Sequence, residues 1–148
     1  MDKMPPCSIE SEQSLLGSLL IDNSVLDLIE LTDRDLYRRD HRLIFRAACE
    51  LIENNTPADF LTVADKLRDS GDIDAAGGAG YIGELPKHSP ASRNAPAYAR
   101  IIREKAIERR MLTASTQIGA LVWEDMTLEE KIDRAGQLIS EVSSDTGS

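Results

Sequence analysis

The chain predicts an all-α protein: a small orthogonal helical bundle forming a globular head, followed by an antiparallel helical hairpin. Three observations carry this. Strand signals are nearly absent, while apolar residues recur at spacings of three and four between capping residues. The segment from Tyr98 to Val142 holds two long apolar stripes of helical period. The connections are short, so amphipathic helices must lie against one another.

Pro5-Pro6 stops any upstream structure, and Ser8 caps a helix from Ile9 to Leu20 with Ile9, Leu16, Leu19 and Leu20 on one face. Glu10 and Glu12 occupy its first turn, where the helix dipole favours acids. Asp22 or Asn23 caps a second short helix from Ser24 to about Leu31, and Asp33 to Arg39 reads as a connector. Asp40 caps His41 to Ile52, with Leu43, Ile44, Ala47, Ala48, Leu51 and Ile52 inward. Glu53 to Pro57 is a turn cluster. Asp59 caps Phe60 to Ser70, and Gly71 suits the left-handed position that ends a helix.

The Gly-rich stretch from Ala75 to Leu85 holds Tyr81, Ile82 and Leu85 at helical spacing, giving a short, weak helix ended by Pro86. After a loop over Lys87 to Ala95, Asn94 caps the long helix, with Pro96 tolerated in its first turn. Up to Ala106 the apolar positions of that helix are Tyr98, Ile101, Ile102 and Ala106. Beyond it they are Ile107, Met111, Ala114, Ile118 and Leu121. At about 100° per residue the two sets lie on opposite sides of the helix. After Glu124-Asp125-Met126, the residues Leu128, Ile132, Ala135, Ile139 and Val142 repeat the four-three spacing. The expected organisation is a head over 1–95, a hairpin arm over 96–144, and a polar tail over 145–148, disordered or the start of a linker.

Composition narrows the function classes. The 148 residues carry a formal net charge of -9, which argues against a surface-wide nucleic-acid footprint and against adhesion to anionic membranes. Aromatics are 4%, so the core must be aliphatic. Cys7 and Cys49 do not make a disulfide framework, and Cys49 falls in a helical apolar pattern as a small buried hydrophobe. No apolar run reaches the ~20 residues of a membrane span and no leader pattern is seen, so a reducing cytoplasm is expected.

No catalytic constellation emerges. His41, in a helix first turn beside Arg42, reads as structural or surface, and His88 falls in a loop; neither has a Cys or His at metal-ligand spacing. Gly77-Gly78-Ala79-Gly80 lacks a preceding strand and a following Lys-Ser or Lys-Thr, so it reads as a tight turn rather than a phosphate cradle. Cofactors are expected to be none. Two basic groups, Arg34 to Arg46 and Arg100 to Arg110, read as solvated faces, the second interleaved with Glu104 and Glu108. The first leaves a nucleic-acid-binding helical module open as an alternative.

The hairpin stripes admit two readings: closure within one chain, or a four-helix contact between two copies. Ala114, Ala135, Gly119 and Gly136 would let helices approach closely. Leu121, Val122 and Trp123 add apolar area near the tip. The self-association reading assigns the interface to Ile107, Met111, Ala114, Ile118, Leu121, Leu128, Ile132, Ala135 and Ile139. Val122, Trp123, Glu124 and Asp125 are candidates for docking a partner.

The run from Ser8-Ile9-Glu10 to Asp22-Asn23, preceded by Pro5-Pro6, resembles the opening of DnaB-type replicative helicases. The likeness continues through Leu36-Tyr37, His41-Arg42-Leu43-Ile44-Phe45, Asp59-Phe60-Leu61-Thr62-Val63, Gly77-Gly78, Tyr81-Ile82, Glu84-Leu85 and Tyr98 to Lys105, then into the hairpin. It implies a non-catalytic N-terminal domain whose hairpin pairs between subunits, a homodimer building a hexameric trimer-of-dimers collar. There the C-terminal domain of primase docks, and a helicase loader is a further partner. ATP and Mg would belong to a motor domain outside this chain. A standalone regulator that mixes into a helicase ring is the other reading. The chain departs from the family pattern at Ala79, where an aromatic is usual, at Gly80, Gly83 and Gly136, and in a short loop over Glu124 to Thr127.

Overall fold

In the computed structural model, which describes residues 4–88 and 94–144, the described residues form helices and turns with no strand. Helix α1 spans Ile9–Ile21 and begins at Ser8, whose hydroxyl accepts from the Ser11 amide at 3.3 Å. It is buried on more than one side: Leu15 joins Leu16, Leu19 and Leu20 in the core, and Gly17 and Ser18 are enclosed as well. Gly17 is the position of closest approach. A Cβ there would lie 2.2 Å from the carbonyl oxygen of Leu85, so only glycine lets the 85–88 turn rest on α1.

The second helix is a 3-10 segment, Asn23–Leu28, that stops short of Leu31. Asp22 caps it by accepting from the Ser24 amide. Asn23 turns away to hold the 58 region, donating to the Ala58 carbonyl and accepting from its amide, both at 2.8 Å. Within the expected connector, Asp33–Asp35 forms a further 3-10 turn.

Helix α2 spans Arg39–Glu53, and Asp40 does not cap it. The helix starts two residues earlier than His41, and Asp40 accepts from the Arg38 guanidinium and the His41 amide from inside the first turn. Ile44, Ala47 and Ala48 face the core as expected, joined by Phe45 and His41, while Leu43, Leu51 and Ile52 are half-buried. Helix α3, Phe60–Asp69, has the expected ends. Asp59 accepts from the Thr62 amide at 2.9 Å while Thr62 Oγ1 accepts from the Asp59 amide, and Gly71 has φ +80°.

Helix α4, Gly78–Glu84, ends at its Leu85 cap just before Pro86, as expected, and a 3-10 turn over Leu85–His88 follows. Helix α5, Ala95–Leu121, starts where expected, but Asn94 makes no side-chain cap. Helix α6 spans Leu128–Ser144. Of the expected loop over Lys87 to Ala95, Lys87 and His88 belong to the 3-10 turn and Ala95 to α5, while 89–93, like the tail at 145–148, lie outside the described residues.

The core is aliphatic, as composition required. Leu15, Leu16, Leu19, Leu36, Ile44, Ile82, Leu85 and Ile102 are its large, fully enclosed members. It takes in the first third of α5 through Ala95, Ala99 and Ile102, so the arm is rooted in the head by its own helix. Burial of each such side chain contributes roughly 1.5–3 kcal/mol.

Candidate pairing and docking surfaces

Helix α5 changes neighbours along its length. Ala95, Ala99, Ile102 and Ala106 are buried against the head; Tyr98 is half-buried on the core edge and Ile101 is exposed. Small alanines, rather than Tyr98 and Ile101, make the close contact. From Ile107 onward the helix meets α6. Ala114 and Leu138 are the buried pair at this seam, flanked by half-buried Ile107, Ile118, Leu121, Ala135 and Val142. Lys131 closes it near the tip by donating from Nζ to the Val122 carbonyl at 2.8 Å.

The seam uses only part of the predicted stripes. Leu128 is 73% exposed, Ile132 63%, Ile139 62% and Met111 58%. Leu138, absent from the predicted stripe, takes the place beside Ala114. The apolar arc of α6, from Leu138 through Val142, Ala135, Leu128 and Ile139 to Ile132, spans about 120° at 100° per residue, more than one antiparallel neighbour covers. Around α5, Ala106 and Ala114 differ by about 80°, whereas Met111 stands about 140° from Ala106. The head face and the α6 seam are therefore adjacent, and the uncovered apolar face of the hairpin lies across from the head.

At the tip, the backbone tightens through amides of Val122, Trp123 and Glu124 bonding to carbonyls of Gly119, Ala120 and Leu121. Thr127 then caps α6 by accepting from the Glu130 amide at 3.1 Å. Trp123 is 87% exposed, with Val122, Glu124 and Asp125 exposed beside it.

A polar joint ties the root of the arm to the 32–37 turn. Arg110 Nη2 meets the buried Asp35 carboxylate at 2.5 Å, and Thr32 donates its amide to the same carboxylate. Arg109 donates to the Pro6 and Asp35 carbonyls, each at 2.8 Å, and stacks over Tyr37. This corrects the expectation of a solvated second basic group. Along the helix Lys105 pairs with Glu108 three residues on; Arg103 reaches Glu30, and Arg109 and Arg110 turn inward. The first basic group is similarly engaged. Arg38 pairs with Asp40, Arg46 with Asp33, and Arg42 donates to the Leu36 and Tyr37 carbonyls. The Asp40 and Asp33 hydrogen bonds hold the Arg38 and Arg46 guanidinia above their ordinary values.

Sequence reasoning missed a buried polar network. Glu12, read only as a first-turn acid favoured by the helix dipole, is enclosed. Its carboxylate accepts from the Tyr37 amide at 2.7 Å and from His41 Nδ1 at 2.8 Å. His41 Nε2 lies 2.6 Å from the Tyr81 hydroxyl, which also accepts from Gln13. The signal was present: Glu12, Leu15, Leu16 and Leu19 share the i, i+3, i+4, i+7 positions of one face. The network is a structural tie between α1, α2 and α4. No group of acids, histidines or cysteines with metal-ligand geometry occurs among the described residues. Burial pushes the Cys49 thiol up to about 12, so it is an inert, half-buried side chain. No helix among the described residues is long and apolar enough to cross a membrane.

Residues 4–104 match the family model described as the DnaB-like helicase N-terminal domain. The chain is similar to the replicative DNA helicase DnaB of Geobacillus stearothermophilus, 34% identical over 96% of this chain and 32% of that protein. It is likewise similar to DnaB of Leifsonia xyli, 33% identical over 99% of this chain and 32% of that one. It thus spans about a third of the length of these curated relatives. Among solved structures, it resembles the N-terminal domain of DnaB helicase from Mycobacterium tuberculosis, with TM-score 0.85 and 34% identity over 93% of this chain and 99% of that one. A DnaB-like replicative helicase described with its interactions with primase shares the fold, with TM-score 0.76 and 21% identity over 93% of this chain and 32% of that one.

Proposed function

We propose, on the premise that this chain belongs to the family of DnaB-like helicase N-terminal domains, that it is the non-catalytic assembly and docking domain of a replicative DNA helicase. Its hairpin pairs with that of a second copy, and such pairs build a hexameric collar. The observation that carries this reading is the apolar face across from the head. Covering the exposed parts of Leu128, Ile132, Ile139 and Met111 contributes about 1–2 kcal/mol each, and every residue counts twice in a symmetric pair. Exposed Gly119 and Gly136 leave room for close approach of the copy. Val122, Trp123, Glu124 and Asp125 form the tip that docks the C-terminal domain of primase, and a loader would use the same collar. ATP and Mg serve the motor of the larger protein and meet none of these residues.

Mass measured by light scattering across concentration tests the pairing. The wild-type chain is expected to form dimers and Ile132→Asp to stay monomeric with unchanged helical circular dichroism. A wild-type chain that remains monomeric at high concentration defeats the pairing reading. For docking, titration of the wild-type chain and Trp123→Ala with the cognate primase C-terminal domain is the direct measurement. Equal binding by both removes the tip assignment.

A further inference from the structure

The tip of the hairpin carries the chain's single tryptophan, Trp123, and 87% of it is open to solvent. Val122 beside it is 62% exposed. The backbone that presents them is braced. Amides of Val122, Trp123 and Glu124 bond to carbonyls at the end of α5, and Lys131 Nζ holds the Val122 carbonyl at 2.8 Å. An indole on a braced turn leaves little backbone freedom to be lost when a partner covers it, and tryptophan is the commonest kind of interface anchor. Among the described residues no ring or guanidinium stacks on the indole; the arginines that lie over rings are Arg38 on Tyr81 and Arg109 on Tyr37.

Negative charge is concentrated around this side chain. Of the twelve residues from Val122 to Asp133 five are acids, against 26 of 148 in the whole chain, and Lys131 is the one base. Glu124, Asp125, Glu129, Glu130 and Asp133 are all exposed, and none makes an ion pair among the described residues. The start of α6 accounts for Glu129 and Glu130, since the helix dipole favours acids in a first turn. It does not account for the other three. Glu124 and Asp125 precede the Thr127 cap, and Asp133 lies beyond the first turn, one turn on from Glu129.

We infer that the tip docks a basic surface of a partner protein. A lysine or arginine of that surface stacks on the Trp123 ring, and its neighbours meet Glu124, Asp125 and Asp133. Both features select the same chemistry, because the face of an indole is itself negative and attracts a cation. An acidic partner or a nucleic-acid backbone is repelled by the same carboxylates. The inference rests on the reading of the tip as the docking end of the arm, and it adds the chemistry of what docks there.

Incorporation of fluorotryptophan into the whole chain places one fluorine at the tip, so its resonance reports on Trp123 alone. The probe is the cognate primase C-terminal domain, titrated at low and at high salt. The expected result is a saturable shift of the resonance, with affinity falling about tenfold between about 0.05 and about 0.5 M salt. Glu124→Gln combined with Asp125→Asn should weaken binding several-fold and flatten the salt dependence, with circular dichroism unchanged. Asp65→Asn combined with Asp69→Asn removes the same charge from exposed positions of the head and should bind as the parent does. A resonance that shifts without salt dependence, or equal binding by the two double variants, overturns the inference and leaves the tip reading standing. Binding with the resonance unmoved, or no binding at all, overturns both. A resonance that shifts with the chain's own concentration overturns the inference by assigning the tip to a second copy.

Discussion

The head and the arm solve the same problem, burial of an aliphatic helix face, to different degrees. In the head the helices pack on one another around a shared core, and eight leucines and isoleucines from Leu15 to Ile102 are fully enclosed. In the arm beyond Ala106 only Ala114 and Leu138 are buried, and four large apolar residues of the stripes are mostly open. The head is complete as a single chain. The arm leaves much of its apolar stripes uncovered.

The largest expected effect sits in the head. Glu12→Ala leaves His41 Nδ1 and the Tyr37 amide without an acceptor in a closed interior and should cost about 3–5 kcal/mol, read as a drop in the denaturation midpoint at constant m-value. Leu16→Ala, with full enclosure, should cost about 2–5 kcal/mol by the same measurement. If Ile132→Ala at low protein concentration cost as much, the contrast between the two regions would be lost; the expected value there is within about 0.5 kcal/mol. The same Ile132→Ala should weaken dimerisation by about tenfold in sedimentation equilibrium.

Gly136→Ala sharpens the comparison further. Among the described residues nothing lies within 4 Å of a Cβ at that position, so the exchange should stabilise α6 by about 0.5–1 kcal/mol. Should a second helix pack closely over that face, association would weaken while the monomer became more stable. Smallest of all is a chemical probe. With its thiol pushed up to about 12, Cys49 is almost wholly protonated at pH 8, and alkylation there should be slow until denaturant is added. Rapid labelling in the native state would mean that the α2 face is looser than its packing indicates.

What could be read from residue order alone follows the range of each interaction. Helix α3 was legible because Asp59, Thr62 and Gly71 act within a few residues of one another. The start of α2 was not, since Asp40 is diverted by Arg38 and the capping pattern is silent about that. Gly17 carries no local signal, because its role depends on Leu85, far along the chain. The stripes of the hairpin were visible, but not which edge of the α6 arc turns to α5. That choice is set by the relative rotation of two helices, and a period of 3.6 residues leaves it open. Leu138 was overlooked for that reason. Arg109 and Arg110 were read as surface charges because Asp35 and Pro6 lie in other elements.

The continuity of α5 has a mechanical consequence. One helix of 27 residues, about 40 Å long, is embedded in the head for its first third and carries the tip at its far end. No interruption of the helix stands between them to absorb a rotation. With Arg109 and Arg110 gripping the 32–37 turn near its midpoint, the helix is a lever over a fulcrum. From Arg110 to Leu121 the outer arm measures about 17 Å, so a tilt of a few degrees at the root moves the tip by about 1 Å. A force applied beside Trp123 is therefore felt at Ile102, inside the core.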